Sequence, residues 1–521
     1  MPPPLLGRRA LLAAGLGPAV AACARPAAQS GPAGAEARSA PAVDRVRFAW
    51  ADVGVPTPFR VSTAGPGGPV LLTLLYDTLT WKDDRGIIPW LASRWEVSPD
   101  GRDYTFILVP GARWQDGQPV TTQDVAFTFD YYARHPYRWM STAMVEAAEA
   151  LDAAHVRVRL KEAYAPFLEE VAGVAPILPS HVWAQVDDPS TFDGAGASLG
   201  SGPFRLAEYR AAEGAYRLSA NPDYFAGRVV VGELQQLNTA AETRVLAVRQ
   251  GELELAHTTD GSVGAALKGD SRVKVLETEP LSVVRLAVNT ARPPLDRREV
   301  REAIAYALDR ARIAAVVTKA PPVVGRDGVV PPGSPWFDPQ AASRAFDPAR
   351  SRALLGGQRH TLELIADPMD REPELMQPML EAVGISLVVR RADAKTRTQL
   401  LREGRFQLGQ LQHIGVGGDP DFLRRWYTGQ ETNDFAQGFT FVDERYAQLA
   451  AAQAAALDPA RRRELVWRMQ TILAEQLPTI VLYYRRFYWV YDSARYRPMN
   501  TWGGLMNGIP LVQNKLTFLA R

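Results

Sequence analysis

Between Val46 and Leu79 the chain spells a strand, a loop and a helix in that order, and no other stretch restricts the fold as much. Val46-Arg47-Phe48-Ala49-Trp50 alternates as a half-buried strand does, Ser62 to Pro69 is rich in Gly and Pro, and Val70 to Leu79 reads as an apolar helix. A strand that passes through a loop into a helix suits an α/β protein. At 521 residues the chain exceeds one ordinary core, so two or three lobes are expected.

Further strands are predicted at Tyr104 to Val109, at His155 to Leu160 with Val156, Val158 and Leu160 on one face, and at Val283 to Asn289. Helix starts carry their own punctuation. Thr121 with Asp124 caps one helix, and Asp296 with Glu299 resembles a capping box ahead of Val300, Ile304, Ala307 and Leu308. Asp347-Pro348 and Asp458-Pro459 each set an N-cap acid before a proline at the first helical position. The second of these helices turns Leu465, Met469, Ile472 and Leu473 inward and stops before Pro478, and its Arg461-Arg462-Arg463 run reads as a solvated face.

Upstream of the folded part, Arg8 and Arg9 precede an apolar run from Ala10 to Ala22 that is too short to span a bilayer, which takes about 20 residues. It reads as a signal peptide. The paired arginines resemble a twin-arginine export signal, with Gly7 where that signal usually has Ser or Thr. Val20-Ala21-Ala22-Cys23 resembles the bacterial lipobox, and Cys23, the sole cysteine, is the expected lipidation site. From Ala24 to about Pro41 the chain has few large apolar groups and reads as a flexible tether. Cleavage before Cys23 leaves 57 basic against 57 acidic residues, and this neutrality argues against a nucleic-acid binder.

The block from Pro89 to Phe129, PWLASRWEVSPDGRDYTFILVPGARWQDGQPVTTQDVAFTF, resembles the signature of family 5 extracellular solute-binding proteins, the receptors of ABC importers for dipeptides, oligopeptides and nickel. The likeness continues in family order through Gly200-Ser201-Gly202-Pro203-Phe204, Asn221-Pro222-Asp223-Tyr224-Phe225, Gly251 to Ala256, Leu286-Ala287-Val288-Asn289, Gly418-Asp419-Pro420-Asp421 and Pro478 to Tyr484. It implies a bilobal α/β periplasmic-binding-protein fold of the Venus-flytrap type with an additional domain. Lobe I is expected at 44–78, 190–284 and 485–521, the extra domain II at 79–189, and lobe III at 285–484, behind a signal peptide at 1–22 and a tether at 23–43.

The function implied is capture of a small organic solute, a peptide or peptide-like molecule, and its delivery to ABC permease subunits with cytoplasmic ATPases, by a lipid-anchored monomer on the outer side of the cytoplasmic membrane. No cofactor and no metal is expected. A sensor or chaperone-like receptor uncoupled from import is the alternative within the class.

Family peptide receptors usually pair the peptide ammonium with an aspartate three positions before the first acid of the GDPD-like segment. Here that position is Val416. Either Asp419 or Asp421 takes over the pairing, or the ligand has no free ammonium, because burying one without a carboxylate costs several kcal/mol. His413 stands where family members often have tryptophan, which also leaves room for a metal chelate. Trp426 and Tyr427 are candidate aromatic walls, and Thr63, Ala64 and Gly65 are candidate backbone contacts from lobe I. Gly196-Ala197-Ser198-Leu199-Gly200 matches a hydrolase nucleophile elbow, but its polar, Gly-rich surroundings lack the strand before and the helix after that an elbow requires.

Overall fold

The computed structural model of the chain describes residues 42–520 except 62–66, 84, 195, 281, 417, 430–439, 497 and 499–513. Arg8, Arg9, Cys23, Thr63, Ala64 and Gly65 lie outside the described residues. The described residues are a mixture of helices and strands, and most of the strands are gathered in three sheets.

The largest sheet has seven strands in the order Val273–Glu277, Tyr488–Asp492, Leu255–Thr258, Val43–Trp50, Val231–Asn238, Ala215–Ala220 and Phe204–Arg210. Val43–Trp50 runs parallel to both of its neighbours, and the flanking pairs are antiparallel. A five-stranded sheet follows the order Ile385–Arg391, His360–Ala366, Leu408–Ile414, Ser282–Val288 and Thr479–Arg485. Every residue of Ser282–Val288 is buried, as a strand covered on both faces must be. The third sheet is a four-stranded antiparallel one, Ala92–Val97, Asp103–Leu108, His155–Leu160 and Val145–Ala150, in which Val156, Val158 and Leu160 all face the core.

Two segments carry the chain between the large sheets, and they lie side by side. One leads from Val273–Glu277 to Ser282–Val288 and the other from Thr479–Arg485 to Tyr488–Asp492. Thr278 N–H donates to the Phe487 carbonyl, and Phe487 N–H donates to Thr278 Oγ1, each at 3.0 Å. Such adjacent crossings are where a hinge can absorb backbone rotation without disturbing either sheet.

The helix punctuation is largely realised. Thr121 and Asp124 form a reciprocal capping box at Thr122–Arg134, while Asp347 and Asp458 accept from the N–H groups of Arg350 and Arg461 at the starts of Pro348–Leu355 and Pro459–Gln476. The Asp296 box does not form. Asp296 and Arg297 donate their N–H groups to Arg292 and Pro294 in a preceding turn, so the helix starts at Arg298 without a side-chain cap. The first helix spans Gly67–Leu75 and ends earlier than its apolar run, because Gly202 N–H occupies the Leu75 carbonyl that further helix would need. Ser198 sits in a turn and donates to the Pro56 carbonyl at 3.0 Å.

Candidate functional site

Strand Leu408–Ile414 leads through a turn into the short helix Phe422–Tyr427, and this unit carries most of the sequence-predicted residues. His413 leaves the strand beside Trp426, with ring centroids 4.4 Å apart. Arg285, from the neighbouring strand Ser282–Val288, joins both. Its Nη2 donates to His413 Nε2 at 3.0 Å, its Nη1 donates to Thr479 Oγ1 at 3.1 Å, and its guanidinium carbon lies 4.5 Å from the Trp426 ring centroid. An arginine only donates, so Nε2 is the accepting nitrogen of His413. Burial first, then the positive charges of Arg285 and Arg397, hold the His413 pKa well below its ordinary range, so the ring is neutral. Burial also lowers Arg285.

The acidic segment is held from behind. Asp419 receives both terminal nitrogens of Arg462, at 2.6 and 2.7 Å, and accepts the Asp421 N–H at 2.8 Å. Asp421 accepts from Tyr164 Oη at 2.8 Å, from Gln453 Nε2 at 2.7 Å and from Arg424 at 2.8 and 2.6 Å. Burial pushes the Asp421 carboxyl up, but the Arg424 hydrogen bonds with the charges of Arg424 and Arg425 outweigh it and set the pKa below the usual carboxylate value. Both carboxylates are thus engaged by side chains of the protein itself.

Val416, 2% exposed, packs in an apolar cluster with Val283, Val329, Phe422 and Trp426. Tyr427 belongs to the same cluster and meets Phe441 and Tyr446 edge-on at 6.2 and 6.1 Å. The structure therefore brings His413, Trp426 and Arg285 together and sets Val416 and Tyr427 into the packing behind them.

Two residues of this arrangement escaped sequence reasoning. Arg285 interrupts an otherwise apolar strand, a signal that a charge is buried for a reason. Arg462 is not part of a solvated face, although Arg461 and Arg463 are exposed. It sits three and seven positions before Leu465 and Met469, on the buried stripe of its helix, and the helical period alone points it inward.

The family described as "Bacterial extracellular solute-binding proteins, family 5 Middle" matches residues 86–434. The Di/tripeptide-binding protein 2 of Pseudomonas aeruginosa is 27% identical over 433 residues, which cover 76% of this chain and 81% of that protein. The Dipeptide-binding protein of Escherichia coli is 24% identical over 434 residues, covering 76% and 80%. Among solved structures, NikA from Brucella suis in complex with Fe(III)-EDTA matches with a TM-score of 0.79 at 22% identity, over 90% of this chain and 99% of that one. The fold is that of the bilobal α/β binding proteins. Matched over residues 86–434 by the family and over 90% of its length in structure, the chain belongs to family 5 of the bacterial extracellular solute-binding proteins.

Proposed function

We propose that this protein is the substrate-binding component of an ABC importer, which captures a peptide or peptide-like solute between its two large sheets and presents it to membrane permeases. The observation that carries this reading is the family match across residues 86–434, joined to a fold whose two large sheets are linked by paired crossings. Relatives named for di- and tripeptide binding favour a peptide-like ligand.

In this reading the seven-stranded sheet forms lobe I, the five-stranded sheet lobe III and the four-stranded sheet the extra domain. His413 and Trp426 face the ligand, fixed from behind by fully buried Arg285, while Val416, Asp419 and Tyr427 hold that wall in place. Thr63, Ala64 and Gly65 contribute backbone groups from the opposite lobe. Cys23 carries a lipid, after export directed by Arg8, Arg9 and the apolar run that follows them, and the anchor keeps a monomeric receptor near its permeases. Val416 where family peptide receptors carry an aspartate, with Asp419 and Asp421 engaged by Arg462 and Arg424, favours a ligand that presents no free amine to lobe III.

Native mass spectrometry of protein purified from its own host tests the reading and names the ligand. A bound solute of peptide-like mass is the expected result. If nothing co-purifies, and no member of a peptide, sugar and metal-chelate panel raises the melting temperature, the reading fails.

A further inference from the structure

Across the seven-stranded sheet, three aromatic rings from adjacent strands form a row beside the chain crossings. His257 pairs in register with Trp489, and the parallel pairing of Phe48 with Leu255 sets Trp50 alongside His257. The ring centroids are 4.9 Å apart for Trp50 and His257, 5.2 Å for His257 and Trp489, and 5.9 Å for Trp50 and Trp489, with Phe487 6.0 Å from His257. Trp50 ends its strand. At the other end Arg485 leaves the five-stranded sheet, and its Nη2 donates to Gln412 Oε1 at 2.7 Å, next to His413. The row thus stands where the two large sheets meet.

Three donors around this row lack an acceptor among the described residues. Arg244 gives Nε–H to the Thr239 carbonyl at 2.9 Å and points Nη1 at His257 Nε2, 3.4 Å away. Because arginine only donates, Nε2 is the acceptor, and a neutral His257 carries its proton on Nδ1. Burial, together with the charges of Arg244 and Arg485, keeps the ring neutral by lowering its pKa to about 3. His257 Nδ1, Trp489 Nε1 and Arg485 Nε are all buried and have no hydrogen-bond partner among the described residues. The carboxylate that acts on half-buried Arg244 is that of exposed Glu242. Buried donors with no acceptor cost about 1–3 kcal/mol each, so a protein that strands several in one place is arranged for a partner that brings acceptors.

We propose that the Trp50–His257–Trp489 row, flanked by Arg244 and Arg485, is a subsite for a carboxylate carried on a flat apolar or amide group of the ligand. Partly exposed His257 and Phe487 supply contact surface for the flat group, with Trp50 and Trp489, 7% and 1% exposed, packed behind them, and the donors of His257 and the two arginines supply the acceptor-seeking edge. This rests on the solute-binding reading and narrows it: the solute is an organic acid or an acid-terminated peptide, oriented with its carboxylate toward the seven-stranded sheet.

The test uses the full mature protein and two probes, N-acetyl-Ala-Ala with a free carboxylate and the same dipeptide as its C-terminal amide. Binding is followed by calorimetry and by the fluorescence of the tryptophans. The acid is expected to bind on the order of tenfold or more tightly than the amide, as for hydrogen bonds to a charged group. Arg244→Gln, with Arg485→Gln as a second variant, should reduce that preference to threefold or less while circular dichroism stays unchanged. Equal binding of acid and amide, or full discrimination in both variants, overturns the proposal. If neither dipeptide binds while another solute does, the subsite is refuted and the receptor reading stands. If no solute binds at all, both fall.

Discussion

Replacing Asp77 by alanine should destabilise this protein far more than replacing Lys515 by methionine, although the two side chains form one ion pair. Both are fully buried, and Nζ lies 2.6 Å from Asp77 Oδ1. Their other partners differ. Asp77 also accepts from Trp90 Nε1 at 2.7 Å, Tyr224 Oη at 2.8 Å and Ser201 Oγ at 3.0 Å. Lys515 has one further bond, to the Tyr76 carbonyl at 3.3 Å, and lies against the rings of Trp81 and Trp90 at 4.2 and 5.3 Å. Asp77→Ala strands a buried ammonium, at about 3–5 kcal/mol, and leaves three neutral donors without their acceptor, at about 1–3 kcal/mol each unless water replaces it. A loss of at least about 5 kcal/mol is expected.

In Lys515→Met the carboxylate keeps its three neutral donors and the thioether fills the space between the tryptophans, so the loss should be about 2–3 kcal/mol. The double variant removes both charges and should be no less stable than Asp77→Ala alone, a coupling of about 2–3 kcal/mol. Urea unfolding followed by tryptophan fluorescence at neutral pH measures all three, provided the slopes agree. Equal losses in the two single variants, or strict additivity in the double, would refute the reasoning.

Val416→Asp places a carboxylate in the apolar cluster around Phe422 and should cost at least about 3 kcal/mol, and an unchanged melting temperature would instead set this position on an open surface. Gly202→Ala brings a methyl group within 2.5 Å of the Leu75 carbonyl carbon and 2.6 Å of the Leu74 oxygen, both backbone, so a loss of about 1–3 kcal/mol is expected in chemical unfolding. A neutral effect there would mean that the segment shifts freely. Burial, reinforced by the charge of Glu372, pushes the Asp370 carboxyl up to about 6 against the Asp367 N–H bond that favours its ionised form. Its folded pKa exceeds its unfolded one, so its contribution is fully present below about pH 4 and is lost as pH rises through 6. Relative to Asp370→Asn, the natural protein should lose up to about 3 kcal/mol between pH 4 and pH 7, and a pH-independent difference would contradict this.

Local chemistry was enough to announce much of the fold. Thr121 with Asp124, Asp347 with Pro348 and Asp458 with Pro459 cap helices through atoms a few residues apart, and the alternation of Val156, Val158 and Leu160 declares its own buried face. The ordered blocks from Pro89 to Tyr484 announced the family for a similar reason, since turns and caps at fixed spacing describe a scaffold. The Asp296 motif misled because a turn upstream had already taken the Asp296 N–H that the Glu299 side chain would accept, along with that of Arg297.

What tertiary structure alone decided are the partners. Asp419 meets Arg462 across 43 positions, Tyr164 reaches Asp421 across 257, and Arg285 finds His413 across 128. Whether a carboxylate faces a ligand or is spent on an arginine depends on which strands and helices lie against it. Periodicity says which side of an element is buried, and for Arg462 it would have been sufficient. It does not say what fills the other half of a buried contact. Trp50, then Arg244 with His257, then Arg485 with Trp489 stand about two hundred positions apart along the chain and share no motif. Only the sheet register, with His257 beside Trp489 and Phe48 beside Leu255, gathers their donors into one place.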